Sequence, residues 1–256
     1  MRIAVIGATG QTGMPVTERI ARSGHEVVAI SREGTAVPGA TDAIAADVFT
    51  GEGLGGAFDG CEVVVDVTNT KNFLDTRIFT AGAKNIITEA ERAGVERAIM
   101  ISVVGAEHSN FQYHQRKLDQ ERLYRESDLD VAVIRATQFF SFITSFFENG
   151  SAVGAIPVFL GARFQPVATD EVADLIATTA VNKLGDAEIA GPKVWVSRDL
   201  AKVWQAQTRA RGVIVNGPFP PKLLDFFRSG ENLSDTAMQG AVTFQEWLSE
   251  QQRPTV

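Results

Sequence analysis

The run RIAVIGATGQTG, residues 2 to 13, constrains the fold more than any other stretch. A short apolar strand candidate, Ile3 to Ile6, leads without a spacer into glycines at 7, 10 and 13, and a helical pattern starts at about Thr12. Each glycine has its own physical reason: Gly7 permits a tight turn, Gly10 lets an anionic group approach the backbone, and Gly13 lets the helix pack close to the strand. The first N–H groups of a helix lack intrahelical partners and lie at the positive end of its dipole. The loop of Gly7, Thr9, Gly10, Gln11, Thr12 and Gly13 is therefore predicted to cradle phosphate, and its strand, turn and helix context predicts the pyrophosphate of a dinucleotide.

The rest of the first 150 residues repeats the alternation that such a unit begins. Apolar runs at 26 to 30 (EVVAI), 62 to 67 (EVVVDV), 97 to 102 (RAIMIS) and 130 to 135 (DVAVIR) are separated by helical patterns at about 12 to 23, 76 to 93 and 111 to 126, and DAIAAD at 42 to 47 adds a strand. Six parallel strands of this kind predict an α/β, doubly wound Rossmann sheet, whose ligands bind beyond the strand carboxyl ends. After residue 150 the rhythm weakens. Helices at 169 to 182, 198 to 211 and 219 to 229, with short strands at 193 to 197 and 212 to 216, predict a smaller C-terminal lobe over 151 to 256. No Pro/Ser-rich linker sets this lobe apart, so the expectation is one continuous body with the lobe on the strand carboxyl ends. Residues 230 to 243 read as a loose loop, with Trp247 pinning the tail.

Composition narrows the function. The 24 basic and 31 acidic residues give a net charge of −7, which repels a polyanion, so no nucleic-acid partner is expected. The most apolar later stretch, 139 to 161, is interrupted by Glu148, Asn149, Gly150 and Pro157 before reaching the length of a membrane span, and reads as buried wall. Met1 leads directly into the first strand, which leaves no room for a signal sequence and predicts a cytoplasmic protein. Cys61 is the single cysteine, read as a buried thiol, and the three histidines show no ligand spacing, so no metal site is assigned.

At the end of the second strand, where an NAD-specific site places an Asp or Glu for the ribose hydroxyls, the sequence reads AISRE. Ser31 and Arg32 offer a hydroxyl and a guanidinium, which suit the additional phosphate of NADP, with NAD the weaker fit. The competing reading leaves Arg32 as a solvated surface charge. Further along, Tyr113 and Lys117 stand four residues apart in FQYHQRK, a spacing that puts both side chains on one helix face. Any amphipathic surface helix can supply such a pair, so its meaning depends on the rest of the chain. His114, about 100° around the same helix, is expected to face away from the pair.

These positions together resemble the short-chain dehydrogenase/reductase superfamily, and specifically its atypical, NmrA-like branch with a G-x-x-G-x-x-G loop. The resemblance covers nearly the whole chain. It implies that Asp47 and Val48, in ADV, contact adenine, and that Thr68 and Asn69, in VTNT, lie beneath the cofactor. It also implies that Ser102 in ISVVG is the active-site serine, that RATQF (135 to 139) brings Phe139 beside the nicotinamide, and that 164 to 176 links into the C-terminal lobe. Tyr113 would then be the acid/base, Lys117 its partner and a ligand of the nicotinamide ribose, and Ser102 the group that polarises the substrate oxygen. The charge of Lys117 is expected to draw the phenol's pKa down from its usual value near 10.

Three activities share this set of residues. One is an NADP-dependent oxidoreductase that reduces a small carbonyl or quinone-like substrate by hydride transfer. Another is a cofactor-binding redox sensor without turnover. The third, a nucleotide-sugar epimerase or dehydratase, fits Ser31 and Arg32 poorly. The phenylalanines at 139, 140, 142, 146 and 147 could line an apolar substrate site or pack a core. Relatives exist both as monomers and as homodimers paired through the helix bearing Tyr113, and either state is compatible with the sequence.

Overall fold

The computed structural model describes residues 1–70 and 75–252. In chain order the elements are β1 (Arg2–Ile6), α1 (Gly13–Arg22), β2 (Glu26–Ser31), β3 (Asp42–Ala45), α2 (Leu54–Ala57), β4 (Val63–Asp66), α3 (Ala81–Arg92), β5 (Arg97–Val103), α4 (Gln112–Arg125) and β6 (Asp130–Ala136). There follow α5 (Phe140–Ser151), β7 (Ala155–Val158), β8 (Arg163–Phe164), α6 (Thr169–Asn182), β9 (Ala187–Ala190), β10 (Trp195–Val196), α7 (Ser197–Thr208), β11 (Val213–Asn216), α8 (Pro221–Ser229), β12 (Met238–Gln239) and α9 (Phe244–Gln251). The central sheet has eight strands in the order β12-β9-β6-β5-β4-β1-β2-β3. Parallel register joins β1 to both β2 and β4, β2 to β3, and β4 to β5. The step from β1 outward in two directions is the strand-order reversal of a doubly wound fold.

The expected six strands form, and two more join them. β9 and β12 pair in parallel, Met238 with Ile189 and Gln239 with Ala190. Neither carries the continuous apolar run that marks a buried parallel strand, because β9 is half-covered and both residues of β12 are exposed. Residues 230 to 243 are thus not a loose loop. They contain β12 and the fully buried Asn232, whose amide donates to Gln138 Oε1 (3.0 Å) and to the Arg163 carbonyl (2.9 Å).

Contacts divide the chain into two compact units with interleaved segments. One takes residues 1–102, 112–135 and 172–187, and the other takes 103–111, 136–171 and 188–256. In the first, the β1 residues Ile3 to Ile6 and the β4 residues Val63 to Val65 are covered on both faces, as a parallel sheet requires. Cys61 is buried there, its thiol donating to the Ala57 carbonyl, and burial raises its pKa. In α6, Asp174 pairs with Arg19 of α1, and Arg97 of β5 bonds both Asp130 and the Leu184 carbonyl.

The second unit has an aromatic core. The run 139 to 161 read as a buried wall forms α5 and β7, with Phe140, Ile143, Thr144 and Phe147 buried at helical spacing, while Val153 and Leu160 are exposed. Phe146 meets Phe159 edge-on at 5.3 Å, and Phe159 stacks on Phe219. Trp247 packs on Phe140 and Phe244, as expected of a residue that pins the tail. It does so from a helix, α9, that begins with a capping box between Thr243 and Glu246. Among the described residues no helix is long and apolar enough to cross a membrane.

Candidate functional site

The glycine loop joins β1 to α1 and is tied to the end of β2, since the Gly7 and Ala8 amides both donate to the Ile30 carbonyl at 3.0 and 3.2 Å. Gly7 has φ +82°, a left-handed conformation that disfavours side chains, and a Cβ there would lie 3.2 Å from the Val67 carbonyl oxygen. The turn closes with Gly10 N–H to Gly7 O at 2.9 Å. Gly13 sits deeper: a Cβ would fall 2.1 Å from Gly7 O and 2.7 Å from the Ala8 Cα. Thr9, Gly10 and Gln11 remain exposed, while Thr12 and Gly13 are buried. No side-chain bond caps α1 and its first turn holds no acidic residue, so the helix N-terminus is a candidate backbone cradle for an anion. A pyrophosphate fits this arrangement.

Beside it at the end of β2, Ser31 is half-buried and its hydroxyl accepts from the Thr35 amide at 3.2 Å, while Arg32 is exposed. Asp47 and Val48 follow β3. The Asp47 carboxylate accepts from the Phe49 amide at 2.7 Å, and Val48 is buried with its carbonyl held by Asn85 at 2.9 Å. The segment is fixed by the Asp47–Phe49 bond and by Asn85 of α3, and it offers one half-buried carboxylate.

The carboxyl end of β4 carries a buried polar network in which Asp66, Gln120 and Tyr124, none of them predicted from the sequence, join the predicted Thr68 and Lys117. Asp66, 1% exposed, accepts four hydrogen bonds. Its Oδ1 takes the Thr68 amide (2.9 Å) and hydroxyl (2.7 Å), and its Oδ2 takes Gln120 Nε2 (2.8 Å) and the Tyr124 hydroxyl (2.8 Å). Thr68 is thereby turned inward to the carboxylate, whereas its neighbour Asn69 is exposed and accepts from the Tyr113 hydroxyl at 3.1 Å. Gln120 passes the network on, its Oε1 accepting from Lys117 Nζ at 3.0 Å. The ammonium also donates to the Ile101 carbonyl at 3.0 Å and lies 4.4 Å from the centre of the Phe79 ring. Tyr113 meets that same ring edge-on, with centroids 5.2 Å apart.

Tyr113 and Lys117 thus share a ring, Phe79, and each is anchored to the end of a strand segment. Ser102 lies next to Ile101 on β5, 3% exposed, and its Oγ has no hydrogen-bond partner among the described residues. An orphaned buried hydroxyl is costly unless a ligand or water completes it. Burial lowers the Lys117 pKa to about 8, against the opposing charges of Asp66 and Glu121. Burial also pushes the half-buried Tyr113 phenol up to about 12, with the Asn69 bond acting weakly in the other direction. The expected lowering of the Tyr113 pKa is therefore not found, because desolvation of the phenolate is the largest influence and the Asn69 bond opposes it only in part.

His114 also differs from expectation. It is buried, its ring stands edge-on to that of Tyr113 at 5.7 Å, and burial lowers its pKa to about 4, so it is neutral at physiological pH. Within the second unit, Phe139 is half-buried at the N-terminus of α5 and bridges to Val167. Of the phenylalanines at 139 to 147, Phe140 and Phe147 belong to the core, while Phe142 and Phe146 pack partly buried against it.

A family model described as NAD(P)H-binding matches residues 7–183. Among curated proteins, an uncharacterized protein of Mycobacterium tuberculosis is 34% identical over 103 residues. That alignment covers 40% of this chain and 12% of the relative, so the match takes in a small part of the relative's length. Solved structures cover nearly the whole chain. The NADPH complex of an NADPH-dependent quinone oxidoreductase from Escherichia coli has a TM-score of 0.77 at 19% identity over 97% of this chain and 99% of that one. Citrobacter sp. triphenylmethane reductase complexed with NADP(H) gives 0.75 at 19% over 98% and 99%. A nucleoside-diphosphate-sugar epimerase from Staphylococcus aureus gives 0.79 at 17% over 97% and 99%. At these identities the likeness is one of fold.

Proposed function

The chain belongs to the NAD(P)H-binding family, with a Rossmann-type fold, and from that premise we propose that it is an NADP-dependent reductase of a small carbonyl or quinone-like substrate. The observation that carries the reading is the grouping of Tyr113 and Lys117 on the Phe79 ring, with the Lys117 ammonium on the carbonyl of Ile101, next to the orphaned Ser102 hydroxyl. The glycine loop would hold the pyrophosphate, Asp47 and Val48 the adenine end, and Ser31 with Arg32 the 2′-phosphate. Asn69 and Phe139 are the remaining candidate cofactor contacts, with Thr68, whose amide and hydroxyl are held by Asp66, a candidate through its carbonyl alone. The part of 151 to 256 outside residues 172–187 is the candidate for substrate choice.

NADPH, when bound, supplies the hydride. The protein's own part is the substrate oxygen and one proton. Ser102 Oγ donates to that oxygen as negative charge develops on it, which also satisfies the serine's missing bond. The Tyr113 hydroxyl then gives its proton to the oxygen and becomes phenolate, and the Lys117 ammonium stabilises the phenolate until solvent returns the proton. A phenol at about 12 stays protonated at neutral pH, so the resting site is set for donation, which is the reductive direction.

The same raised pKa favours one alternative, a cofactor-binding sensor that never turns over, because proton release from Tyr113 is costly. Purified protein with NADPH, supplied in turn with quinones, aldehydes, ketones and enones, separates the two. Consumption of NADPH absorbance that falls by roughly 10²- to 10⁴-fold in Tyr113→Phe, with NADPH affinity retained, is the enzyme's result. Turnover unchanged in Tyr113→Phe rejects the catalytic assignment, and NADPH binding without oxidation by any class supports the sensor.

A further inference from the structure

Asp66 and Gln120 are fully buried and have no part in the chemistry above, yet they lie in line with Lys117. A carboxylate accepts hydrogen bonds and does not donate, an ammonium donates and does not accept, and a primary amide has one end of each kind. Between Asp66 and Lys117, Gln120 has only one favourable orientation: Nε2 toward the carboxylate and Oε1 toward the ammonium. We propose that Asp66, acting through the orientation it imposes on Gln120, is a positioning residue that keeps the Lys117 ammonium charged and in place beside Tyr113. This rests on the reading of Lys117 as the partner of Tyr113.

The surroundings of Lys117 leave little else for that task. Ile101 on β5 supplies a neutral carbonyl, and the turn at Arg77–Phe79 supplies the Phe79 ring. Glu121, on α4, is engaged by Arg135 of β6 through Nε (3.1 Å) and Nη2 (2.5 Å). Tyr113 and Tyr124, both on α4, have phenols raised by burial and are neutral at pH 7. Among the described residues the charges of Asp66 and Glu121 both favour the Lys117 ammonium, that of Asp66 more strongly, and Asp66 on β4 reaches it through one intervening amide.

The relay makes a prediction that charge alone does not. In Asp66→Asn the new –NH2 can take the place of Oδ2 and face the Gln120 –NH2, so Gln120 turns over and presents its own –NH2 to the ammonium. In the double variant Asp66→Asn/Gln120→Glu the buried negative charge is restored one residue further along. The carboxylate now accepts from both the amide at position 66 and Lys117, so the hydrogen-bond sense of the line is whole again.

The test is the titration of Lys117 in protein labelled with 13C-lysine, followed by NMR, with the resonance identified among the seven lysines by its loss in Lys117→Met. The measurement needs neither cofactor nor turnover, so it fails separately from the proposed reaction. In Asp66→Asn the midpoint is expected to fall by about one pH unit or more, a tenfold weaker hold on the proton, and in the double variant to return at least to the wild-type value. An unchanged midpoint in folded Asp66→Asn overturns the proposal, as does a double variant that titrates like the single one. If Asp66→Asn does not fold, Gln120→Met leaves the carboxylate in place and removes the carbonyl, and an unshifted Lys117 midpoint there has the same force.

Discussion

Replacing Gly13 by Ala sets two physical effects against each other at one position. Gly13 opens α1, and in an ordinary helix alanine is favoured over glycine by roughly 1 kcal/mol. Here the added methyl would stand 2.1 Å from Gly7 O, 2.7 Å from the Ala8 Cα and 2.8 Å from the Gly7 carbonyl carbon. All three are backbone atoms, so relief requires moving the loop or the helix by an ångström or more rather than turning a side chain. Overpacking of that kind costs typically 1–3 kcal/mol, so the propensity gain is cancelled or reversed, and at roughly 2–4 °C per kcal/mol a reversal lowers the melting temperature by a few degrees. The same displacement opens the phosphate cradle, so NADPH affinity should fall by roughly tenfold or more, about 1.4 kcal/mol. Gly56→Ala is the internal control: the position is helical, has no positive φ, and a Cβ there meets nothing within 4 Å. It should melt at or slightly above the wild-type temperature and bind NADPH normally. Thermal melts and NADPH fluorescence titrations on the three proteins measure both terms. If Gly13→Ala is as stable as Gly56→Ala and binds NADPH as tightly as wild type, the close-approach reasoning is wrong.

Three further outcomes follow from named contacts. Arg32→Ala should lower the preference for NADPH over NADH by roughly tenfold, read as the ratio of the two dissociation constants, and an unchanged ratio removes Arg32 from the cofactor site. For His114, the folded pKa of about 4 lies below the unfolded value of 6.5, so the unfolded chain binds more protons between these values and stability falls as the pH drops from 6.5 toward 4. The loss amounts to about 3 kcal/mol in full, and urea melts across that range should show a smaller acid dependence in His114→Phe. Thr243→Ala removes the capping box at α9 and should cost about 1 kcal/mol of stability in denaturant titrations.

The glycine turn between β1 and α1 was legible in the sequence because its physics is local. Three glycines, a strand before them and a helix after them are all visible within a dozen residues. Tyr113 and Lys117 were legible as a pair through helical spacing, and the first six strands through their apolar runs. The Asp66 network was not, since Gln120 and Tyr124 stand 54 and 58 residues away in the chain, and nothing in VVVD distinguishes a buried carboxylate from an exposed one. Nor was the direction of the Tyr113 shift, which depends on depth of burial rather than on the identity of its neighbour at i+4. β9 and β12 escaped notice because short strands with exposed positions lack periodicity. For α9, by contrast, the Thr243 and Glu246 spacing was a usable signal. Helix α5 likewise carried its buried positions at i, i+3, i+4 and i+7, hidden within a run that is aromatic on every side.

The interleaving of the two units has a consequence for how the chain acquires its structure. The first unit is completed only by residues 172–187, which carry Asp174 for Arg19 and Leu184 for Arg97. An emerging polypeptide therefore has its glycine loop synthesised early, yet Asp174, the partner of Arg19 on the helix that follows the loop, arrives 155 residues later. Contacts that distant in sequence slow folding, because loop-closure entropy is lost before the contacts repay it. The unit that contains the glycine loop is thus first to be started in synthesis, yet it is not complete until residue 187 has been made.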